Sequence, residues 1–123
     1  MKDQAISTKA EYKYFASPDE VRTFEKGKVQ LLNIGGGSVG MFTLEPGWQW
    51  SKHVKSVVKT DLCLSAHFQY VVSGRLRVKM SDGSEFEVGP GSVSVLPSGH
   101  DAWVVGDEPF IGIDWAGAAH YAK

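Results

Sequence analysis

Apolar and polar residues alternate along most of this chain. Leu76, Val78 and Met80 occupy one face of a segment whose other face carries Arg75, Arg77 and Lys79. That two-residue period is the mark of a strand with one face buried. The same period marks residues 28–34, 39–44, 68–72, 84–88, 93–96, 102–105 and 110–115. Turn residues separate these runs: Gly35-Gly36-Gly37, Glu45-Pro46-Gly47, Ser73-Gly74, Asp82-Gly83, Gly89-Pro90-Gly91, Pro97-Ser98-Gly99 and the stretch 106–109. Asp82-Gly83 is a strong two-residue hairpin signal. Residues 68–72 and 75–80 are expected to pair as a hairpin around Ser73-Gly74. Residues 48–53 extend the pattern as a further strand-like segment with Trp48 and Trp50 on one face, and 54–66 read as irregular. One stretch breaks the β period. Ser17, Pro18 and Glu20 form a capping box, which predicts a short helix over about 18–24, stopped at Gly27.

Eight to ten short strands with turns every few residues, and no helices between them, predict an antiparallel sandwich or barrel and exclude a parallel α/β sheet. A chain of 123 residues makes one domain. Its expected parts are an N-terminal arm and helix (1–27), a barrel (28–116) and a C-terminal tail (117–123), with Tyr12, Tyr14 and Phe15 of the arm packing on the body.

Composition narrows the partners. The net charge is −1, with no basic run, which argues against nucleic acid. No apolar run approaches the length of a membrane helix. A single cysteine, Cys63, allows no internal disulfide. With no apolar leader after Met1, the expectation is a soluble cytoplasmic protein.

Two stretches carry a resemblance. Gly47, then five residues, then His53; a residue at 67, then six residues, then Gly74; and Gly91, then five residues, then Pro97-Ser98-Gly99. Together these resemble the two motifs of the cupin superfamily. The resemblance covers about residues 39–115. It implies an all-β, antiparallel double-stranded β-helix or jelly-roll barrel. It also implies a divalent metal (Zn, Fe, Mn or Ni) held by histidines within the barrel, and a small organic ligand at the barrel mouth. Small cupins of this kind pair as homodimers, and the aromatic arm is a candidate to cross to the neighbour.

The chain departs from the motifs where the chemistry lies. His53 keeps its place, but Lys55 stands for the second motif histidine and His67 for the motif glutamate. Ala102 stands for the last histidine, with His100 two residues earlier, and eleven residues separate Lys55 from His67. Residues 100 and 102 share a parity, so His100 is expected to face inward. The expected metal ligands are therefore His53, His67 and His100, with Cys63, Lys55, Asp61 and Trp50 as further ligand or pocket candidates. A thiolate from Cys63 would favour zinc. Asp101 is expected to orient His100 or to cap the turn. Asp114, if inward, needs a partner such as Lys55 or an arginine. Glu85 and Glu87 read as outward surface residues, and His120 as part of the tail.

Three function classes follow. One is a metal-dependent enzyme such as a dioxygenase, isomerase or decarboxylase. The second is a ligand-binding or sensory barrel that has lost its metal, and the third is a structural dimer module. An all-neutral donor set leaves a metal its full charge, so an anionic ligand such as a carboxylate is expected for the first.

Overall fold

The computed structural model describes residues 9–118 together with 121 and 122. Among them run nine strands: β1 (Glu20–Phe24), β2 (Gly27–Ile34), β3 (Gly37–Leu44), β4 (His67–Ser73), β5 (Arg75–Met80), β6 (Glu85–Val88), β7 (Val93–Leu96), β8 (His100–Val105) and β9 (Phe110–Asp114). Two four-residue helical turns, α1 (Trp50–His53) and α2 (Lys55–Val58), lie between β3 and β4. A six-stranded sheet in the order β1-β2-β3-β9-β4-β7 packs against a three-stranded sheet, β6-β5-β8, and all pairings are antiparallel. No helix among the described residues is long and apolar enough to cross a membrane.

The alternation seen in the sequence is the alternation of burial. Leu76 and Val78 of β5 point into the core, while Arg75 and Arg77 form ion pairs with Glu87 and Glu85 on the outer face. Such exposed pairs add little stability. The core sits between the sheets and includes Val29, Leu31, Phe42, Leu44, Val71, Leu96, Val104 and Phe110, with Trp48 and Trp50 closing one end. Burying each large apolar side chain contributes roughly 1.5–3 kcal/mol.

Four elements differ from the sequence expectations. Residues 20–24 are strand β1 rather than a helix. They pair along their whole length with β2, from Glu20–Leu31 to Phe24–Gly27, and that ladder outweighs the local capping signal. Residues 48–53 are not a single strand. The chain turns into α1 because the Asp101 carboxylate, about fifty residues away, accepts the Ser51 N–H at 3.0 Å and so caps the turn. In the C-terminal segment, Ala118 and Tyr121 are buried in the core and the Arg22 guanidinium holds the Tyr121 carbonyl at 2.6 Å, so these two residues belong to the body. In the arm, Tyr12 and Tyr14 are exposed and meet edge-to-face at 6.1 Å instead of packing on the body.

A fifth difference is topological. β4 and β5 do not form a hairpin. β4 pairs with β7 and β9, whereas β5 pairs with β6 and β8, so the link at Gly74 carries the chain from one sheet to the other. Gly74 has φ of +76°, and a Cβ there would overlap the Pro109 carbonyl oxygen and Phe110 Cα. Only glycine meets both demands. Gly74→Ala is expected to lose roughly 2 kcal/mol or more of stability, read as a lower urea midpoint at unchanged slope.

Candidate metal centre

The first residue of β4 and the first of β8 bring two imidazoles together inside the barrel. His67 and His100 are 6% and 3% exposed, and their ring centroids lie 5.4 Å apart. The alternation of β8 buries His100 and Ala102 on one face and leaves Trp103 half-buried on the other, as their parity requires. Cys63 joins them from the segment between α2 and β4. Its N–H donates to the His100 carbonyl at 2.8 Å, and its own carbonyl accepts the Gly99 N–H at 2.8 Å. This short bridge stitches the inserted segment onto the end of β8. Cys63 Sγ lies 4.0 Å from His67 Nε2, and one donor atom from each of Cys63, His67 and His100 falls within 4.8 Å of the others.

Each imidazole is fixed through its far nitrogen. His67 Nδ1 meets the Asp114 carboxylate at 2.5 Å, and His100 Nδ1 donates to the Pro97 carbonyl at 2.9 Å. Both anchors leave Nε2 unengaged, and His67 Nε2 faces the Cys63 sulfur, the arrangement in which an outer partner orients a metal-binding histidine. Asp114 is fully buried and also accepts the N–H groups of Phe68 at 3.1 Å and Ala116 at 3.0 Å. Its partner is His67, not Lys55 or an arginine. The chain then turns closely over the site. A Cβ on Gly117 would overlap the Ala66 carbonyl oxygen and crowd His67 Nδ1.

These contacts reshape the proton affinities. Burial pushes the Cys63 thiol up, but hydrogen bonds and charge from His100 and His67 outweigh it and bring it to about 6. Burial opposes charging His67, yet Asp114 and Cys63 raise it to about 9. Asp114, despite its own burial, is held below the usual carboxylate range by His67 and the two backbone N–H groups. Without metal, the cluster is thus a thiolate beside an imidazolium beside a carboxylate.

The donor set suits a divalent metal. Ligand bonds of about 2.0–2.3 Å place donors around one ion nearer than 4.8 Å, so the cluster needs to close by on the order of 1 Å. An internal cavity lies against the two imidazoles, bounded also by Phe42, Trp48, Trp50, Gln69 and Tyr121. The centre of a water-sized molecule can move through about 30 Å³ of it, room for one or two waters on the order of volume a water needs. Gln69, held to the Ser94 hydroxyl at 3.2 Å, and Trp48, whose indole N–H has no protein partner, are its polar edges.

The other candidates lie elsewhere. His53 is not brought to the cluster. As part of α1, it accepts the Gln49 N–H through Nδ1 at 3.0 Å and turns Nε2 to Glu25 at 3.5 Å. Lys55 and Asp61 pair at 3.6 Å on the surface, away from the cavity. Trp50 is buried and lines the cavity. Asp101 caps α1 and leaves the orientation of His100 to Pro97. Sequence reasoning missed Tyr121 and Gln69. The inward parity that Gln69 shares with His67 was the available signal for Gln69, and Tyr121 had none. His120 lies outside the described residues.

No family model matches this sequence, and no curated protein does. Solved structures do match. A Rhizobium leguminosarum protein of unknown function superposes with a TM-score of 0.61 at 19% identity, covering 89% of this chain and 98% of that one. A Vibrio parahaemolyticus domain of unknown function gives 0.59 at 14% identity over 78% of this chain and 96% of that one. Oxalate decarboxylase from Lactobacillus farciminis gives 0.58 at 23% identity over 83% of this chain. This chain spans only 32% of that enzyme's length. The fold is an all-β barrel of the cupin type.

The paired shifts at Cys63 and His67 set a pH signature for metal-free protein. Between pH 6.5 and about 9 the folded chain keeps the His67 proton and lacks the Cys63 proton, whereas the unfolded chain has the reverse. The proton counts match, so this pair leaves stability flat with pH there. In Cys63→Ala the part of the His67 rise that Cys63 supplies is gone and the part from Asp114 remains: that contribution is complete below pH 6.5 and is lost as pH rises through the variant's folded His67 value, which lies below the parent's. Urea unfolding in chelator is expected to show stability falling by up to about 1.4 kcal/mol per pH unit above 6.5 in the variant, with no such slope from this pair in the parent.

Proposed function

We propose that this protein is a small metal-binding cupin barrel whose centre is Cys63, His67 and His100. The observation that carries it is the pair of far-nitrogen anchors, Asp114 on His67 and the Pro97 carbonyl on His100, which fix two imidazoles that each offer a donor atom within 4.8 Å of the other and of the Cys63 sulfur. One thiolate with two imidazoles favours zinc over the harder ions that an all-oxygen set would take. When bound, the metal supplies Lewis-acid polarisation of an oxygen atom or an activated water. The chain's own residues supply the rest. Asp114 holds His67 in one tautomer, and the apolar wall around the cavity limits water. The premise for an anionic ligand changes, because Cys63 and Asp114 bring two negative charges to the centre.

The test is elemental analysis of protein purified without a histidine tag. About one equivalent of metal is expected in the parent. Cys63→Ala, His67→Ala and His100→Ala should each lose it while staying folded, and His53→Ala should keep it. A parent that takes up no zinc, or a His53→Ala variant that loses it, would overturn the assignment.

We also propose that two copies pair through the outer face of the six-stranded sheet. Phe68, Tyr70, Val72, Val93, Val95 and Trp115 are 38–67% exposed there, and Phe68 stacks on Trp115 at 6.0 Å. The registers Phe68–Val95 and Tyr70–Val93 make them one continuous patch. At roughly 150–250 Å² per large side chain, these residues expose on the order of 600 Å². That is at the top of what a monomer usually shows and approaches the roughly 800 Å² per partner of a stable interface. The patch carries no charge, so it is complementary to a second copy of itself. Sedimentation at micromolar concentration should give twice the 13.4 kDa chain mass, and Val95→Glu should give the monomer.

A further inference from the structure

The inner cavity and the size of an organic ligand do not agree. About 30 Å³ of free movement for a water-sized molecule holds water and little else. A second, larger space opens on the outer side of the same cluster. It is a surface cleft of about 490 Å³ between the segment 58–66 and Ala116, Gly117, Tyr121 and Ala122, within the usual span of small-molecule sites. Cys63 is shared, standing in the donor cluster and in the cleft lining. Trp50 and Tyr121 border both spaces. The remaining walls are apolar or small, with Val58, Leu64 and Ala116 beside the hydroxyl of Thr60, and among the described residues no Asp, Glu, Lys, Arg or His lines the cleft. The Lys55–Asp61 pair faces a separate surface hollow.

Charge at the floor points the same way. A divalent ion brings two positive charges, and the Cys63 thiolate and the Asp114 carboxylate behind His67 cancel them. A centre that is formally neutral, at the end of an uncharged cleft, gives a carboxylate no compensation for the water it must shed. An apolar body with one neutral oxygen donor loses little on entry and gains the apolar walls.

We infer that the cleft between residues 58–66 and Ala116, Gly117, Tyr121 and Ala122 is the ligand site, and that it takes an uncharged, largely apolar small molecule whose one donor atom reaches the metal centre past Cys63. This rests on the metal assignment above. Tyr121 borders the passage from cleft to cavity. Its phenol is held well above its ordinary proton affinity, by burial first and then by the nearby negative charges, so it stays protonated.

Cobalt(II) in place of zinc makes the test visible. The loaded parent is titrated with benzyl alcohol, benzaldehyde and benzoate while its visible absorption bands are followed. Saturable band shifts are expected for the two uncharged probes, with apparent Kd lower than for benzoate by about tenfold or more. Ala116→Trp, which fills the cleft from one wall, should retain cobalt and lose the response. Leu64→Trp, at an exposed position on the other wall, replaces it if the first variant does not fold. If cobalt binds but benzoate is preferred, if no probe shifts the bands, or if the filled cleft responds like the parent, the inference is wrong and the metal assignment stands. If no cobalt binds at all, the metal assignment falls and takes this inference with it.

Discussion

The hydrogen bond between the Asp114 carboxylate and His67 Nδ1 ties together β4, β9 and the segment that follows β9. A fully buried carboxylate is costly unless its charge is matched and its oxygens are bonded. Asp114 meets both conditions within one neighbourhood: the His67 imidazole, the Phe68 N–H on the adjacent strand, and the Ala116 N–H just beyond β9. Three consequences follow from that one group. β9 is locked to β4 at the middle of the large sheet. His67 is left with one orientation, its Nε2 toward Cys63. The chain leaving β9 is bent back over the barrel, which brings Ala118 and Tyr121 into the core. Remove the carboxylate, and the sheet register, the ligand geometry and the closure of the barrel end lose a common anchor.

The sequence spoke well wherever one face of a strand was set by local alternation. β5 and β8 show this directly, and the parity of residues 100 and 102 placed His100 inside although it stands two positions from the family pattern. The sequence was silent wherever the deciding partner lay far along the chain. The capping box at 17–20 is a real local signal, but the ladder to β2 offers five residue pairs against one short turn of helix. The turn α1 has no starter of its own in 48–50, because its cap is Asp101. Ser73-Gly74 looks like a hairpin because a positive φ serves a hairpin and a sheet crossing equally well. Only the approach of Pro109 and Phe110 distinguishes them.

The site illustrates the same division. The resemblance to the cupin motifs located the region, and His67 and His100 sit in it. Its residue-by-residue pattern did not name the third donor. A metal centre requires donor atoms at a given separation, not at a given spacing in sequence. Here the longer connection between α1 and β4 places Cys63 there, through two backbone hydrogen bonds to Gly99 and His100. His53, which retains its motif position, is drawn instead into a helical turn and faces Glu25. A motif position is kept by the backbone path, and the backbone path has changed between residues 48 and 66.

Replacing an imidazole by a thiolate alters more than the choice of ion. Two neutral histidines alone would leave a divalent metal strongly positive, and the barrel would attract anions. In the proposed centre, with Cys63 as ligand and Asp114 behind His67, the charge would be balanced within the protein itself, leaving nothing for a ligand to neutralise. The apolar cleft is consistent with that balance. Cys63 lines the cleft and stands in the donor cluster at once. Any molecule that displaces its side chain disturbs the donor set, and any ion that tightens the donor set draws the sulfur inward. An ion and a ligand bound as proposed would therefore be coupled through one atom, and that coupling would be reciprocal by thermodynamic necessity.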